Sequence, residues 1–221
     1  VGVNTSHIKT LDNKSTSVIF VSRSSGTPDF IPFREADCCI YEEQISSEIL
    51  SKTKIFHTTC FALSKKPAQK TILKKAQEAY DLGCKLSIDV NYAKKLWKSQ
   101  KKAFKVIKSY CQFNPLIKIS EDDMLRLFEK ELPHEDIFQF FHDQGVETVC
   151  LTLGSKGVKL SQKGKEVIQM PAIKIDKVMD STGAGDAFWS GCLDIALKLA
   201  ALKLQNVGRL PDNINILSKL L

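Results

Sequence analysis

No stretch of this 221-residue chain approaches the roughly 18 consecutive apolar residues of a membrane-spanning helix, and its opening residues carry no signal-peptide pattern. These absences point away from a membrane partner. Cys-x-x-Cys pairs are also missing: seven cysteines fall at scattered spacings, with only Cys38 and Cys39 adjacent, and no histidine partner suggests zinc. An odd number without a framework points to reduced thiols packed as small core residues, and so to a cytoplasmic location. Low-complexity segments and internal repeats are absent. No Gly-Lys-Ser/Thr closes a Gly-x-x-x-x run, which excludes a P-loop, and Gly183-Ala184-Gly185 lacks the third glycine of a dinucleotide fingerprint. The formal net charge of +7 lacks an aromatic-interleaved basic stripe. The lysines spread through Lys65-Lys66, Lys74-Lys75, Lys94-Lys95, Lys98 and Lys101-Lys102 as solvated helix faces, so nucleic acid is not the expected partner. Some positive potential favours an anionic nucleotide.

What remains is an ordinary globular composition, 43% hydrophobic and 26% charged, arranged as alternating strands and helices. Ser17 to Val21 and Phe30 to Phe33 flank a Ser-Gly-Pro turn and predict a hairpin. Strands are expected at Lys54–His57, Lys85–Val90, Leu116–Ile119 and Thr148–Thr152. Helices are expected at 45–51, 65–82, 98–110, 122–128 and 136–144, with Gly83 and Gly145 as terminators. Strands separated by helices of this length imply right-handed crossovers and a parallel sheet covered on both faces. Such sheets bind ligands at the carboxyl ends of their strands. Asp89 and Asn91, Ser120 to Asp123, and Thr152 to Gly157 all fall at such ends, although each alone also reads as a helix cap or turn.

The most informative segment is Asp180-Ser181-Thr182-Gly183-Ala184-Gly185-Asp186-Ala187, which joins strand-like residues 167–175 to the apolar run Phe188–Leu197. Gly183 and Gly185 leave room for an anion to approach, and the first N–H groups of a helix have no partner within it. Asp186, in the first turn, is placed to accept a proton from a hydroxyl attacking a terminal phosphate. An ordinary capped helix is the competing reading. Capping does not account for two glycines inside a first turn, where each costs about 1 kcal/mol relative to alanine.

The run from Asp180 to Gly191 resembles the Asp-Thr-x-Gly-Ala-Gly-Asp-x-Phe signature of the ribokinase-like (PfkB) carbohydrate kinases, with Ser181 replacing the usual threonine. The resemblance extends back through most of the chain and is nearest to fructokinase and ketodeoxygluconate kinase relatives. It implies a three-layer α/β ribokinase-like fold with a mainly parallel sheet and a small β lid. Residues 1–36 would be lid strands and connections, and 37–221 the nucleotide-binding kinase core. It further implies an ATP-dependent transfer to a primary hydroxyl of a small sugar, fructose or a related keto-sugar or sugar acid. Asp186 would be the base, and Gly183, Ala184 and Gly185 the anion hole.

By the same resemblance Thr152, Gly154 and Gly157 match a Thr-x-Gly-x-x-Gly loop beside the nucleotide. Ser120 and Asp123 stand at the Asn-x-x-Glu element that holds magnesium and phosphate through water, with shorter reach. Asn206 and Gly208 belong to the adenine wall. Asp89-x-Asn91-Tyr92 matches an Asp-x-Asn-Tyr-Arg segment whose arginine is here Ala93, and Trp97 is read as packing. Asp89, Asn91, Arg34 and His57 are the candidate sugar contacts, with a salt bridge the plainer role for Arg34 and a hydrogen-bonded core role for His57. ATP, Mg2+ and a monovalent cation such as K+ are the implied cofactors, and a homodimer through the lid is an implied assembly. The Gly-Gly-containing first signature is not present, so the chain is expected to start partway through the family fold. The helix after Asp186 also runs directly into Ala200–Gly208, where relatives place a loop. A non-catalytic nucleotide- or sugar-binding member, or a nucleoside or vitamin kinase, are the alternatives.

Overall fold

The computed structural model describes residues 4–21, 30–174, 176 and 183–193. It divides into two compact units, residues 1–173 and 174–221.

In the first unit, β1 (Val18–Val21) and β2 (Phe30–Phe33) form an antiparallel two-stranded sheet in which Val18 faces Phe33. Val18, Ile19, Phe20, Ile31 and Phe33 are all exposed, and Phe20 and Phe33 meet edge to face. This hairpin falls in the segment expected to hold lid strands and is a sheet separate from the one that follows, both within residues 1–173. The chain then forms α1 (Ser47–Ser51), β3 (Ile55–Thr59), α2 (Cys60–Leu63), α3 (Ala68–Asp81), β4 (Lys85–Asp89) and α4 (Gln100–Cys111). It continues through β5 (Leu116–Ser120), α5 (Glu121–Phe128), α6 (His134–Asp143), β6 (Thr148–Thr152), β7 (Val158–Gln162) and β8 (Ile168–Met170).

Strands β3 to β8 lie in sequence order in one six-stranded sheet. Pairs from β3 to β6 are parallel, whereas β6–β7 and β7–β8 are antiparallel. The antiparallel edge departs from the expected run of crossovers, and β7 was not anticipated. Its cause is the short turn after Thr152, since a parallel return needs a dozen or more residues and only an antiparallel one closes in a handful. The short helix α2 is not among the expected elements, and the helix expected over 65–82 begins later than its expected start. Thr59 ends β3 and caps α2 by accepting from the Ala62 N–H at 3.3 Å, and α3 starts only after Pro67.

Alternation along the central strands gives the sheet two unlike faces. Leu86 and Ile88 of β4, Ile117 and Ile119 of β5, and Val149 and Leu151 of β6 are fully or almost fully buried on one face. They belong to one apolar cluster with Ile72 and Ala76 of α3, Ala103 and Ile107 of α4, and Ile137 and Phe141 of α6. Both α3 and α6 end in the same paired bonds around a glycine: Cys84 N–H donates to Ala79 at 2.9 Å and Gly83 N–H to Tyr80 at 3.0 Å, matched by Val146 to Phe141 and Gly145 to His142. These are Schellman closures, which satisfy orphan carbonyls before the chain turns into β4 and β6. The other face carries Ser87, Asp89 and Lys118, buried despite their polarity, together with Cys150.

In the second unit a helix spans 184–193, labelled α7. Among the described residues, no helix is long and apolar enough to cross a membrane.

Ile107 tests the core assignment. Ile107→Ala is expected to lower stability by about 2–5 kcal/mol, because it removes transfer energy and leaves a cavity. Lys105→Ala on the exposed face of the same helix should stay within about 0.5 kcal/mol. Urea denaturation followed by circular dichroism measures both.

Candidate active site

The carboxyl ends of β4, β5 and β6 bring together most of the residues singled out in the first unit. Asp89, the last residue of β4, is buried, and both its oxygens are engaged. Oδ2 accepts from Lys118 Nζ at 2.8 Å and Oδ1 from the Asn91 N–H at 3.2 Å. Burial pushes its carboxyl above the ordinary value, and the nearby Asp123 adds to this, while Lys118 and the Asn91 N–H oppose it. Asp89 is thus an anchor within the protein. Asn91, two residues on, is exposed.

At the end of β5, Ser120 caps α5 in a reciprocal box. Its Oγ accepts from Asp123 N–H at 3.0 Å, while Asp123 Oδ2 accepts from Ser120 N–H at 3.1 Å and from Ser120 Oγ at 2.6 Å. Asp123 Oδ1 accepts from the Tyr92 N–H at 3.0 Å. Of the roughly four lone-pair positions of a carboxylate, three are spent on Ser120 and Tyr92, and Arg126 Nη1 stands 3.9 Å from Oδ1. Glu121 lies beside this cap, with His134 Nε2 at 3.3 Å and Lys156 Nζ at 3.6 Å from its Oε1.

After β6 the chain turns tightly through 153–157, closed by Leu153 N–H to Gly157 at 2.8 Å and Gly157 N–H to Gly154 at 3.1 Å. Gly157 has φ 98°, and a Cβ there would lie 2.7 Å from the Pro171 carbonyl carbon and 2.8 Å from the Ala172 nitrogen. Glycine at 157 therefore permits both the backbone angle and the close passage of the strand end after β8. Lys156 ties this turn to the start of α5 through Glu121.

Two candidates lie elsewhere. His57 sits in the middle of β3, exposed, with Nδ1 3.0 Å from Ser87 Oγ. The expected strand end at His57 falls short because Thr58 and Thr59 continue the strand. Arg34 follows β2 and is almost wholly buried: Nε donates to Asp37 Oδ2 at 2.8 Å, Nη1 to Ser64 Oγ at 2.5 Å, and the guanidinium lies 4.0 Å over the Phe61 ring. Ser17, just before β1, donates to Asp37 Oδ1 and accepts from the Glu35 N–H. Both ends of the lid hairpin therefore converge on Asp37. Burial tends to raise the Asp37 carboxyl, but hydrogen bonds from Arg34 and Ser17 outweigh it and leave it below the ordinary value.

Cys60 was not among the candidates. It follows β3 directly and is fully buried, and its thiol is pushed well above the ordinary value by burial and by the charges of Asp123 and Asp89. Its place immediately after a strand was the available signal. Among the described residues all seven cysteines are free thiols, and Trp97 packs in the core.

In the second unit Gly183 has φ 77° and accepts from Ala187 N–H at 2.9 Å, the first bond of α7. The N–H groups of Ala184, Gly185 and Asp186 therefore have no acceptor within the helix. Asp186 is exposed in this first turn. The arrangement is a helix N-terminus with small residues and one carboxylate, competent to receive an anion and a proton. Asp180, Ser181, Thr182, Asn206 and Gly208 lie outside the described residues.

A parallel sheet with an antiparallel edge, a two-stranded lid and a Gly-Ala-Gly-Asp helix start define a ribokinase-like α/β protein. The model of the pfkB family carbohydrate kinases matches residues 1–208, and the chain belongs to that family. An ATP-dependent 6-phosphofructokinase of Thermoanaerobacterium thermosaccharolyticum is 33% identical over 211 residues, covering 90% of this chain and 65% of that protein. Probable fructokinase-7 of Arabidopsis thaliana is 33% identical over 198 residues, covering 86% of this chain and 57% of its own length. Among solved structures, Halothermothrix orenii fructokinase superposes with a TM-score of 0.68 at 36% identity, covering 81% of this chain and 61% of that one. The chain thus spans less than two thirds of the length of these relatives.

Two outcomes test the geometry. Gly157→Ala should destabilise the protein by more than the about 1–3 kcal/mol of a residue held in a sparsely populated backbone region, because its Cβ would also meet the backbone at Pro171 and Ala172, with accelerated amide exchange in β7 and β8. For Asp37, the folded carboxyl titrates below its unfolded value, so its stabilisation is present above about pH 4 and disappears as pH falls through the lowered value. Wild-type protein should therefore lose more stability between about pH 5 and 3 than Asp37→Asn does, measured by denaturation midpoints across that range.

Proposed function

We propose that this chain is the phosphoryl-transferring part of an ATP-dependent sugar kinase whose acceptor is a primary hydroxyl of fructose or a related keto-sugar or sugar acid. The observation that carries this reading is the exposed Asp186 in the first turn of α7, one residue beyond the glycine of a Gly-Ala-Gly turn whose amides have no helical acceptor. Membership of the pfkB family and the printed names of the fructokinase relatives support the acceptor class.

In this mechanism the hydroxyl proton passes to the Asp186 carboxylate as the oxygen attacks the γ-phosphorus. The bond from that phosphorus to the β,γ-bridging oxygen breaks, and ADP departs. The N–H groups of Ala184, Gly185 and Asp186 stabilise charge on the transferred group, a role such preorganised donors fill without reorganising at the moment of reaction. Thr152, Gly154 and Gly157 border the nucleotide, with Asn206 and Gly208 beside adenine. Magnesium supplies charge neutralisation along the phosphates when bound. Asp123, its carboxylate fixed by Ser120 and Tyr92 and lying 3.9 Å from Arg126, would act on the metal indirectly, through water. A monovalent cation such as K+ belongs to the same reading. Asn91 is the acceptor contact on β4's loop. Asp89 and Arg34, both engaged inside the protein, serve by holding that loop and the lid base, and His57 lies along β3. The exposed apolar lid strands fit pairing with a second copy, and the free thiols fit a reducing, cytoplasmic setting.

Asp186→Asn should keep ATP affinity but lower kcat by about 100- to 10,000-fold, the range for loss of a general base. Coupled ADP release from the full chain, across fructose, fructose 6-phosphate, ketodeoxygluconate, adenosine and pyridoxal, measures it. Turnover by Asp186→Asn within about tenfold of wild type would remove the base from this role. Turnover only with the nucleoside or the vitamin would move the protein to another acceptor class, and none with any acceptor would make it a binding protein.

A further inference from the structure

Lys118 so far has only a structural partner, yet its position is an expensive one. It lies in β5, in the middle of the parallel strands, and its side chain is 7% exposed. A buried ammonium is sustained only by a close opposite charge and satisfied hydrogen bonds. The register supplies that charge by setting Lys118 directly opposite Asp89, and Nζ reaches Oδ2 at 2.8 Å. Among the described residues Lys118 is the one cation within ion-pair distance of Asp89.

The consequence lies one step beyond the pair. Asp89's other oxygen accepts from the Asn91 N–H, and the next amide, that of Tyr92, donates to Asp123. Two consecutive backbone amides are thus fixed by two carboxylates, one oriented by Lys118 and the other by the Ser120 cap. Tyr92 and Ala93 are buried behind this loop, whereas Asn91 is exposed. We propose that Lys118 is a positioning residue: it orients Asp89, which holds the backbone at Asn91 so that the Asn91 side chain is presented to the phosphoryl acceptor. This rests on the sugar-kinase reading for what Asn91 meets. A lysine that merely balanced buried charge would affect stability while leaving the loop and acceptor affinity unchanged.

Lys118→Met removes the charge while keeping most of the side-chain volume, and Lys118→Met/Asp89→Asn removes both charges while keeping a carbonyl oxygen for the Asn91 N–H. In the full chain, Lys118→Met should speed amide exchange at Asn91 by about tenfold or more relative to Tyr92, held by Asp123, and Leu160 in β7. It should also raise KM for the acceptor by about tenfold with kcat changed by less than about threefold. The double variant should recover both toward wild type. Unaltered exchange and KM in a folded Lys118→Met protein overturn the proposal. If Lys118→Met does not fold, the double variant decides: slow exchange at Asn91 supports the relay, and fast exchange or failure to fold overturns it. Exchange is read without turnover, so the two readings fail separately. A chain that phosphorylates no sugar but shows the exchange pattern loses the kinase reading and keeps the Lys118–Asp89–Asn91 link. An active chain with unchanged exchange and KM loses the link alone.

Discussion

The parallel register of β4, β5 and β6 is the constraint on which the rest of the first unit depends. Opposing residues share a face, so pairing Ile88 with Ile117 commits all the apolar alternates to the helices, and pairing Asp89 with Lys118 commits the polar alternates to the other side. A slip of one residue would turn Lys118 toward the apolar cluster that includes Ile107 and Phe141 and set Ile117 and Ile119 on the face of Ser87 and Asp89, because the side-chain period of a strand is two. Few single contacts here exclude an alternative fold so strongly. The buried ion pair alone is weak evidence of net stability, but it penalises any register that separates its members.

That register also explains why so many polar groups gather at one rim. Parallel strands end together, and each hands its chain to a helix or turn whose first N–H groups need acceptors. Ser120 and Asp123 meet that need for α5, Thr59 for α2, and Asp89 for the loop after β4. Each of these candidate residues therefore has a structural duty. Asp123 spends most of its lone pairs on Ser120 and Tyr92, and Arg126 stands 3.9 Å from its Oδ1. The lid follows a similar logic at its base, where Asp37 receives Ser17 from one end of the hairpin and Arg34 from the other, while the strands themselves stay exposed.

Much of this was legible along the chain. Alternation in Lys85–Asp89, Leu116–Ser120 and Thr148–Thr152 marks the three central strands, and the glycines at 83 and 145 mark the ends of the helices before two of them. The Gly-Ala-Gly-Asp turn and its helix are likewise visible, since small residues at a helix start have few other uses. Other features were hidden. β7 was missed because Val158–Gln162 is short and mixed in polarity, and its pairing partners lie on both sides in space. The strand through His57 runs on to Thr59, past its expected end. Arg34 looked like a surface residue, and nothing local says that Phe61 and Ser64, far along the chain, will enclose it.

The sequence by itself determined the periodicities, the stops, the helix start at 183–186 and, through its motifs, membership of the pfkB family. These are local properties, set by backbone preference, side-chain alternation and residue type within a few positions. Only the tertiary structure decided that Lys118 and Asp89 are partners, that Asp89 and Asp123 turn inward to hold two neighbouring amides, and that Asn91 is left facing outward. The reason is that burial and hydrogen-bond partnership depend on which distant strands lie side by side. A carboxylate at a strand end reads the same in sequence whether it meets a ligand or a backbone amide.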